Sequence, residues 1–585
     1  MVSIPVRILV IDLSSQSWRF EDRTELFTER LGGSGVAIRL LHEFCKPGTD
    51  PLDPGNPIIL TIGSITALYP LASKCVAMFK SPLTGNLGES HAGGRTAVVM
   101  RGADIGGLVI TGKAEKPTYL SITHDSVQFR DARTLWGMSR NDTAARIIRN
   151  HDGSPGTRTI IRIGRAGEEL VRYAAVTTET YRHFGRMGLG CVFGSKYLKA
   201  VVISGDNSIP LDSWDEYRKI YDSLFDQVTR SSLMKKYHDI GTPVNILPLS
   251  AQKSLPIKNL TSQTLPGVEM LSGEEFAMQA LVRRVACSHC PVSCIHIAQV
   301  RTPYPHDPYF FKTTSVGYDY EPIFSLGSML GITNPTDVLT LIDETEASGM
   351  DAMSAGVAAA YATEAMMNGL ITPDDTGGIT LSFGDSEPYL KFLSILADQK
   401  LPFYKDLGRG VTYASKIWGG EEYALAFGGL EMPGYHTGPA AHIGYLCGAR
   451  HSHLDGAGYS IDQKPTETSP KTPQEIALEL FEEESFRQIL SSLVVCFFAR
   501  NLYTPDTIQA CLKTCGITYS PEELQVLGRE ILKEKYKFKI REGFILDPDS
   551  VSIPNRIFEL PSGKGRIDPD VIKEGVAAFH DLVTG

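Results

Sequence analysis

The chain has 585 residues, 42% hydrophobic and 21% charged, with a formal net charge of −10. That length buries a core large enough for several domains, and the acidic balance argues against nucleic acid or an anionic membrane surface as partner. No apolar run reaches the length of a membrane span, and Met1 to Asp12 lacks the basic region and cleavage site of a signal peptide, so a cytoplasmic protein with reduced thiols is expected.

Short β-branched or alternating runs dominate the first two hundred residues. Strands are expected over Arg7–Leu13, Ile58–Ile62, Cys75–Lys80, Ala97–Arg101, Gly107–Thr111, Tyr119–Thr123, Thr159–Ile163 and Ala200–Ser204, with helices over Val36–Phe44 and Asp142–His151. Near Ile209 the period lengthens. Helices are expected over 212–237, 272–285, 336–368 and 388–398, then, past Gly419 and Gly420, over 473–490, 491–500, 505–515, 521–537 and 569–580. The reading is α+β: a β-rich first domain over residues 1–208, a helical domain over 209–420 and a second helical domain over 421–585.

Cys287, Cys290 and Cys294 stand at C-x2-C-x3-C, a spacing that in a reducing compartment points to a soft metal: zinc or an iron–sulfur cluster. His289, His296 or a distant cysteine supplies the fourth ligand in either case. Glycine-rich stretches at Gly32–Gly35, Ser81–Gly85, His91–Arg95, Arg182–Arg186 and Gly194–Lys196 let main-chain amides approach an anion, though each is also what a turn between strands requires. None fits a P-loop or a dinucleotide fingerprint. Several such loops in one domain suggest a large phosphorylated cofactor.

Taken in order, Leu31–Ile38, Lys80–Gly85, Ala92–Gly94, Gly112–Pro117, Gly164–Glu168, Gly194–Ala200, the three-cysteine motif, Tyr320–Glu321 with Ser325–Gly327, and Arg450–Asp455 resemble the tungsten-dependent aldehyde ferredoxin oxidoreductase family. The resemblance implies a β-rich domain cradling a bis-pyranopterin cofactor with tungsten or molybdenum, closed over by two helical domains. It implies Cys496 as the fourth ligand of a single [4Fe–4S] cluster. It places Lys74 between pterin and cluster, where an arginine can stand in the family. His91 and His183 fall where main-chain carbonyls hold magnesium between the pterin phosphates. Gly93, Arg182, Phe184, Gly185, Arg186, Arg450 and Val495 fall in the cofactor shell, and Glu346 and Asp351 where carboxylates accept from pterin amino groups. Ser491 stands where an aspartate is usual, and a serine keeps a hydrogen bond but not the charge.

The resemblance also implies Glu321 as general base and His453, chosen over His451 by the flanking Leu454, as electrophile or proton relay at an aldehyde oxygen. Electrons leave to ferredoxin or a small iron–sulfur subunit, and the protein forms a homodimer or a hetero-oligomer. Phe310, Phe311, Tyr320, Tyr435, His436 and Tyr459 are expected to shape an aromatic pocket. Two other readings compete: a reductase of carboxylic or aromatic thioesters on the same scaffold, and a zinc-stapled binding protein without cofactor.

Overall fold

The short β-branched runs pair into two six-stranded sheets. One holds, side by side, Ser17–Asp22, Arg7–Asp12, Gly107–Thr111, Ile58–Thr61, Cys75–Lys80 and Leu87–Ala92. The other holds Arg182–Phe184, Val176–Thr178, Arg158–Ile163, Leu198–Ser204, Thr118–Ile122 and Val127–Asp131. This computed structural model describes residues 4–585 apart from 155, 180, 212–213, 305, 465–469 and 548–551, so the start of the helix expected from 212 lies outside the described residues. Strand alternation sends Leu9, Ile11, Leu60 and Phe79 of the first sheet and Leu120, Ile161, Val201 and Ile203 of the second into one shared core. The outermost strands Leu87–Ala92 and Arg182–Phe184 touch. That contact brings His91–Gly93 and Arg182–Arg186, ninety residues apart in sequence, to one place.

The rest of the chain is mostly helical, as an α+β fold requires, and it covers this meeting of sheet edges. Pro473–Ser492 and Pro521–Arg541 each start in a capping box, Thr472 with Glu475 and Ser520 with Glu523, and both pack against the helix Gly33–Phe44 of the first part. Ala352–Met367 is buried almost all round, and Gly356 lets it close on the helix Tyr320–Leu326, because a Cβ there would lie 2.2 Å from the Ser325 carbonyl oxygen. Among the described residues no helix is long and apolar enough to cross a membrane.

Five expectations are corrected. Ala97–Arg101 is part of a helix, Thr96–Gly102, not a strand; its apolar run has no period of its own, and it packs across the second sheet, where the Thr96 hydroxyl is bonded to Thr159 and Thr178. The helix expected over 272–285 stops at Gln279, and Leu281–Val285 is recruited as a strand beside the unexpected hairpin Ile295–Tyr304 and Asp307–Tyr318. The long helix over 336–368 is two, Pro335–Ser348 and Ala352–Met367, broken at Gly349 (φ 78°) and restarted by Asp351, which accepts from the Met353 amide at 3.1 Å. No helix spans 491–500: Pro473–Ser492 ends, and Val494 turns left-handed (φ 54°) to bring Cys496 out of the helix. Finally, Gly32–Gly35 is no phosphate loop. A Cβ on Gly33 would lie 2.1 Å from the Ser491 carbonyl and one on Gly35 2.3 Å from that of Arg30, so these glycines seat one helix against another.

Candidate active site

Where the two sheet edges meet the helices lies a cavity of about 370 Å3. A smaller lobe of about 160 Å3 shares its wall of Arg182, His183, Gly185, Arg186, Asp319 and Glu321 and adds Glu346 and Asp351.

Strands supply the cationic wall. Arg182 opens one edge strand and Arg186 follows it, and Lys74 precedes Cys75–Lys80. Burial pulls the Arg182 guanidinium and Lys74 ammonium down, but the surrounding thiols outweigh it and hold both above their ordinary values. Arg186 is fixed by the Asp351 carboxylate at 3.0 Å and the Glu431 carbonyl at 2.7 Å. Arg450 is held by Asp455 at 2.7 Å. Arg182 Nε, Arg186 Nη1, His183 Nε2 and His453 Nδ1 are nonetheless buried without a partner. Buried polar atoms rarely stay unpaired, so orphaned donors around an enclosed cavity fit an anionic, hydrogen-bonding ligand. No Cβ contact is met in front of Gly185, which leaves that stretch of main chain open.

His91 and Glu89 share a face of their strand, two residues apart, and His91 Nε2 lies 2.7 Å from Glu89 Oε1. Glu89 in turn accepts from Ser34 at 2.6 Å and faces the Lys535 ammonium at 2.5 Å, with both charged side chains almost wholly buried. Burial pushes the Glu89 carboxyl up, but Lys535 and then His91 outweigh it and keep it ionised. Burial drives His91 down to about 4, so the imidazole is neutral and donates to Glu89. Neither Glu89 nor Lys535 was expected from the sequence. The i, i+2 spacing of Glu89 and His91 on a strand was the available signal for the first; nothing local marks the second.

Loops supply the thiol wall. Cys287, Cys290, Cys294 and Cys496 all line the cavity. Their two loops are tied to the first part of the chain through main-chain bonds: Ser288 N to Gly94 O at 2.9 Å, Lys74 N to Val494 O at 3.1 Å, and Cys496 N to Leu71 O at 3.0 Å. A Cβ on Gly93 would sit 2.7 Å from Cys287 Sγ and 3.1 Å from Lys74 Nζ, so only glycine admits this approach. His289, Ser293 and Val494 all have left-handed φ, a strained state for β-branched Val494 that the surrounding bonds hold in place. Burial raises the Cys290 thiol to about 12 and Cys294 to about 11; Cys287 is lowered because Lys74 and Arg182 outweigh its burial. Among the described residues no three of His, Cys, Asp or Glu converge on one ion-sized point. A cubane takes one thiolate at each of four irons, and four thiols line this cavity.

Between the walls stands Glu321, in the first turn of Tyr320–Leu326, a helix whose start is held by Tyr320 N donating to Thr242 Oγ1 at 2.9 Å. Glu321 Oε1 lies 3.2 Å from His453 Nε2. Tyr435 packs on the His453 ring at 5.1 Å between centroids and stacks on Tyr459 at 4.4 Å, which fixes the imidazole plane. Asp319 also faces the cavity; burial, and then the Glu321 charge, push it up to about 7. The sequence reading passed over Asp319 although Asp-Tyr-Glu puts two carboxylates within three residues.

Several expected residues sit elsewhere or differ. Phe184 is buried in the core between the sheets, and Ser491 is buried with its carbonyl against Gly33, so neither lines the cavity. Val495 and Arg450 do. Asp351 is already engaged by Arg186, by Ser354 at 2.6 Å and by the Met353 amide. Burial, and then Asp343 and Asp319, hold Glu346 well above the usual carboxylate range, so it carries a proton and can donate as well as accept. His451 bonds the Tyr445 carbonyl and Lys539 away from the cavity, leaving His453 as the facing histidine. Phe310 and Phe311 are exposed on the hairpin, and His436 is buried against His442, so these three shape no pocket.

The chain is similar to known proteins over nearly all of its length. Residues 8–205 match the family model "Aldehyde ferredoxin oxidoreductase, N-terminal domain", and residues 219–583 match "Aldehyde ferredoxin oxidoreductase, domains 2 & 3". Tungsten-containing aldehyde ferredoxin oxidoreductases of Thermococcus kodakarensis and Pyrococcus furiosus are each 28% identical over 98% of this chain and 95% of their own. The WOR-like subunit of an aliphatic sulfonate oxidoreductase of Pyrococcus furiosus is 27% identical over 67% of this chain and 64% of its own. Among solved structures, the active site complex BamBC of benzoyl coenzyme A reductase, in complex with 1,5-dienoyl-CoA, shares the fold with a TM-score of 0.83 at 18% identity, covering 100% of this chain and 95% of that one.

Proposed function

Because the chain belongs to the aldehyde ferredoxin oxidoreductase family, an oxidoreductase family with a pterin–tungsten cofactor and an iron–sulfur cluster, we propose that it oxidises an aldehyde and water to a carboxylic acid, two protons and two electrons. The observation that carries this reading is the Glu321–His453 pair at 3.2 Å, set between a cationic wall and a thiol wall.

When bound, a bis-pyranopterin with tungsten or molybdenum supplies the two-electron couple and a [4Fe–4S] cluster passes electrons on singly. In this reading Arg182, Arg186, Arg450 and the neutral histidines would hold the pterin phosphates and rings, and the main chain of His91 and His183 would hold magnesium. Cys287, Cys290, Cys294 and Cys496 hold the cluster, and Lys74 lies between the two groups, where a lysine offers charge without an arginine's planar fork. Glu321 takes a proton from water as it adds to the carbonyl carbon. His453, donating from Nε2 to Glu321 or turning to the substrate, steadies the carbonyl oxygen and relays the proton outward. Asp319, protonated below about pH 7, keeps a second negative charge from crowding Glu321. The three-domain division at residues 208 and 420, a cytoplasmic setting, and transfer to ferredoxin or an iron–sulfur subunit, as homodimer or hetero-oligomer, belong to the same proposal.

The test is aldehyde-dependent reduction of benzyl viologen by anaerobically purified protein, run over aliphatic and aromatic aldehydes. Turnover with an aldehyde supports the reading. No turnover with any aldehyde, together with viologen-linked conversion of an aromatic coenzyme A thioester, would replace it with the reductase reading.

A further inference from the structure

The thiol wall has an outer side. His289, in the cysteine loop, is exposed, and so are His238 and Arg284 next to it, with Lys236 and Arg500 half exposed. These residues are fastened to the loop. His238 Nδ1 donates to the Val292 carbonyl, between Cys290 and Cys294, at 2.9 Å. Arg284, three residues before Cys287, donates to the His238 carbonyl at 2.7 Å and the Asp239 carbonyl at 3.0 Å. Arg500, four residues after Cys496, donates to the Phe497 carbonyl at 3.0 Å. Tyr237 stacks on Phe498 at 4.0 Å and 12°, which brings Lys236 toward Arg500. The side chains of Lys236, Arg284 and Arg500 make no ion pair within 4.0 Å of a carboxylate among the described residues; Arg284 bonds main chain, Arg500 bonds the Phe497 carbonyl and the Tyr237 side chain, and Lys236 lies over the Tyr237 ring. The Asp239 carboxylate is bonded to Lys235 at 2.5 Å and also faces the charge of Arg284. Arg283 belongs to the opposite face of its strand, toward Tyr181.

On a chain with a net charge of −10, Lys235, Lys236, Arg284 and Arg500 outnumber the Asp239 carboxylate beside the cysteine loop, a local reversal of sign. Such a reversal steers a partner of opposite charge and orients it on arrival. We propose that the basic surface of Lys236, His238, Arg284 and Arg500 over the Cys287–Cys294 loop docks an acidic iron–sulfur carrier protein of the ferredoxin type. This rests on the oxidoreductase reading above and says where its electrons leave. Each docked carrier is reduced by one electron, so two dockings balance the two electrons lost by one aldehyde. The charge is what commits the surface to a protein carrier of negative sign, and its position over the thiols is what commits that carrier to electron transfer.

The test measures binding of an oxidised, strongly acidic two-cluster ferredoxin to the full-length metal-loaded protein by calorimetry, at low and at high ionic strength. The proposal expects binding that weakens steeply with salt. It expects a Kd raised on the order of tenfold or more in Arg284→Glu with Arg500→Glu, a smaller rise in the milder Arg284→Gln with Arg500→Gln, and no change in Lys391→Glu, an exposed site on the distant helix Ser386–Asp398. A Kd indifferent to salt and to both double substitutions in folded protein would overturn it, as would equal weakening by Lys391→Glu, which would show only a general charge effect. Viologen-linked aldehyde oxidation, read in the same samples, judges the oxidoreductase proposal separately: the double variants keep it if the surface acts only in docking, and its absence from unsubstituted protein removes that reading while the isotherm still judges the surface.

Discussion

Two glutamate–histidine pairs line the same cavity, and they are built differently. Glu89 and His91 lie 2.7 Å apart on a strand, and Glu89 is further bound by Ser34 and by the buried Lys535. Glu321, on a helix, and His453, in a turn, lie 3.2 Å apart; 23% of the Glu321 side chain is exposed, and His453 Nδ1 has no hydrogen-bond partner. The first pair is clamped by an opposite charge that fixes both its protonation and its position. Behind the second carboxylate no lysine or arginine forms an ion pair among the described residues. The same two residue types thus make a buried support in one place and the proposed acid–base pair in another, and the difference lies in what stands behind the carboxylate.

Substitutions sharpen or break that contrast. The largest effect on rate is expected from Glu321→Gln, which keeps shape and one acceptor but cannot take a proton: turnover should fall by about 10²–10⁴ with tungsten and iron content and unfolding temperature unchanged. Loss of metal alongside activity would make Glu321 a structural residue like Glu89. Comparable in energy but opposite in kind, Lys535→Met should destabilise the protein by about 3–5 kcal/mol by leaving the Glu89 charge buried and unpaired. Adding Glu89→Gln should recover most of that loss in denaturant unfolding; if it does not, the lysine acts through packing and the clamp is not electrostatic.

The smallest effect concerns pH. Asp319 titrates at about 7 in the folded protein because burial and then Glu321 disfavour its charge, against about 4 in an unfolded chain. A raised folded pKa means that the native state keeps a proton the unfolded state has lost. Its stabilising contribution is therefore complete below about pH 4 and lost as pH rises through about 7. Asp319→Asn should flatten the fall in unfolding temperature across that window, and an unchanged slope would show that another group titrates there.

What was legible in the sequence follows the range of the interaction. Cys287, Cys290 and Cys294 were readable because the chemistry is written in local spacing, and the strands at Ile58, Cys75 and Gly107 because period-two alternation is local too. Ala97–Arg101 misled because four apolar residues in a row have no period, and only the buried hydroxyl of Thr96 shows which face the segment presents. The helix expected over 491–500 failed at Val494, whose left-handed turn is imposed by main-chain bonds from Lys74 and Leu71, more than four hundred residues away. Lys535 was invisible for the same reason: a lysine in an amphipathic helix looks solvated until its partner Glu89 is placed beside it. Gly93 was assigned to the cofactor shell through the family pattern, and the structure gives a physical reason for a glycine there, the contact with Cys287 and Lys74.

The central claim is that one cavity holds a pterin-bound metal against its cationic wall and a cubane against its thiol wall. Plasma mass spectrometry of anaerobically purified protein tests it most directly, counting tungsten, molybdenum, iron and zinc per chain in the unsubstituted protein and in Cys496→Ser. About four irons and about one tungsten or molybdenum are expected per chain, with iron falling in the variant. About one zinc, with neither iron nor tungsten nor molybdenum after expression in a host that makes the cofactor, would contradict it.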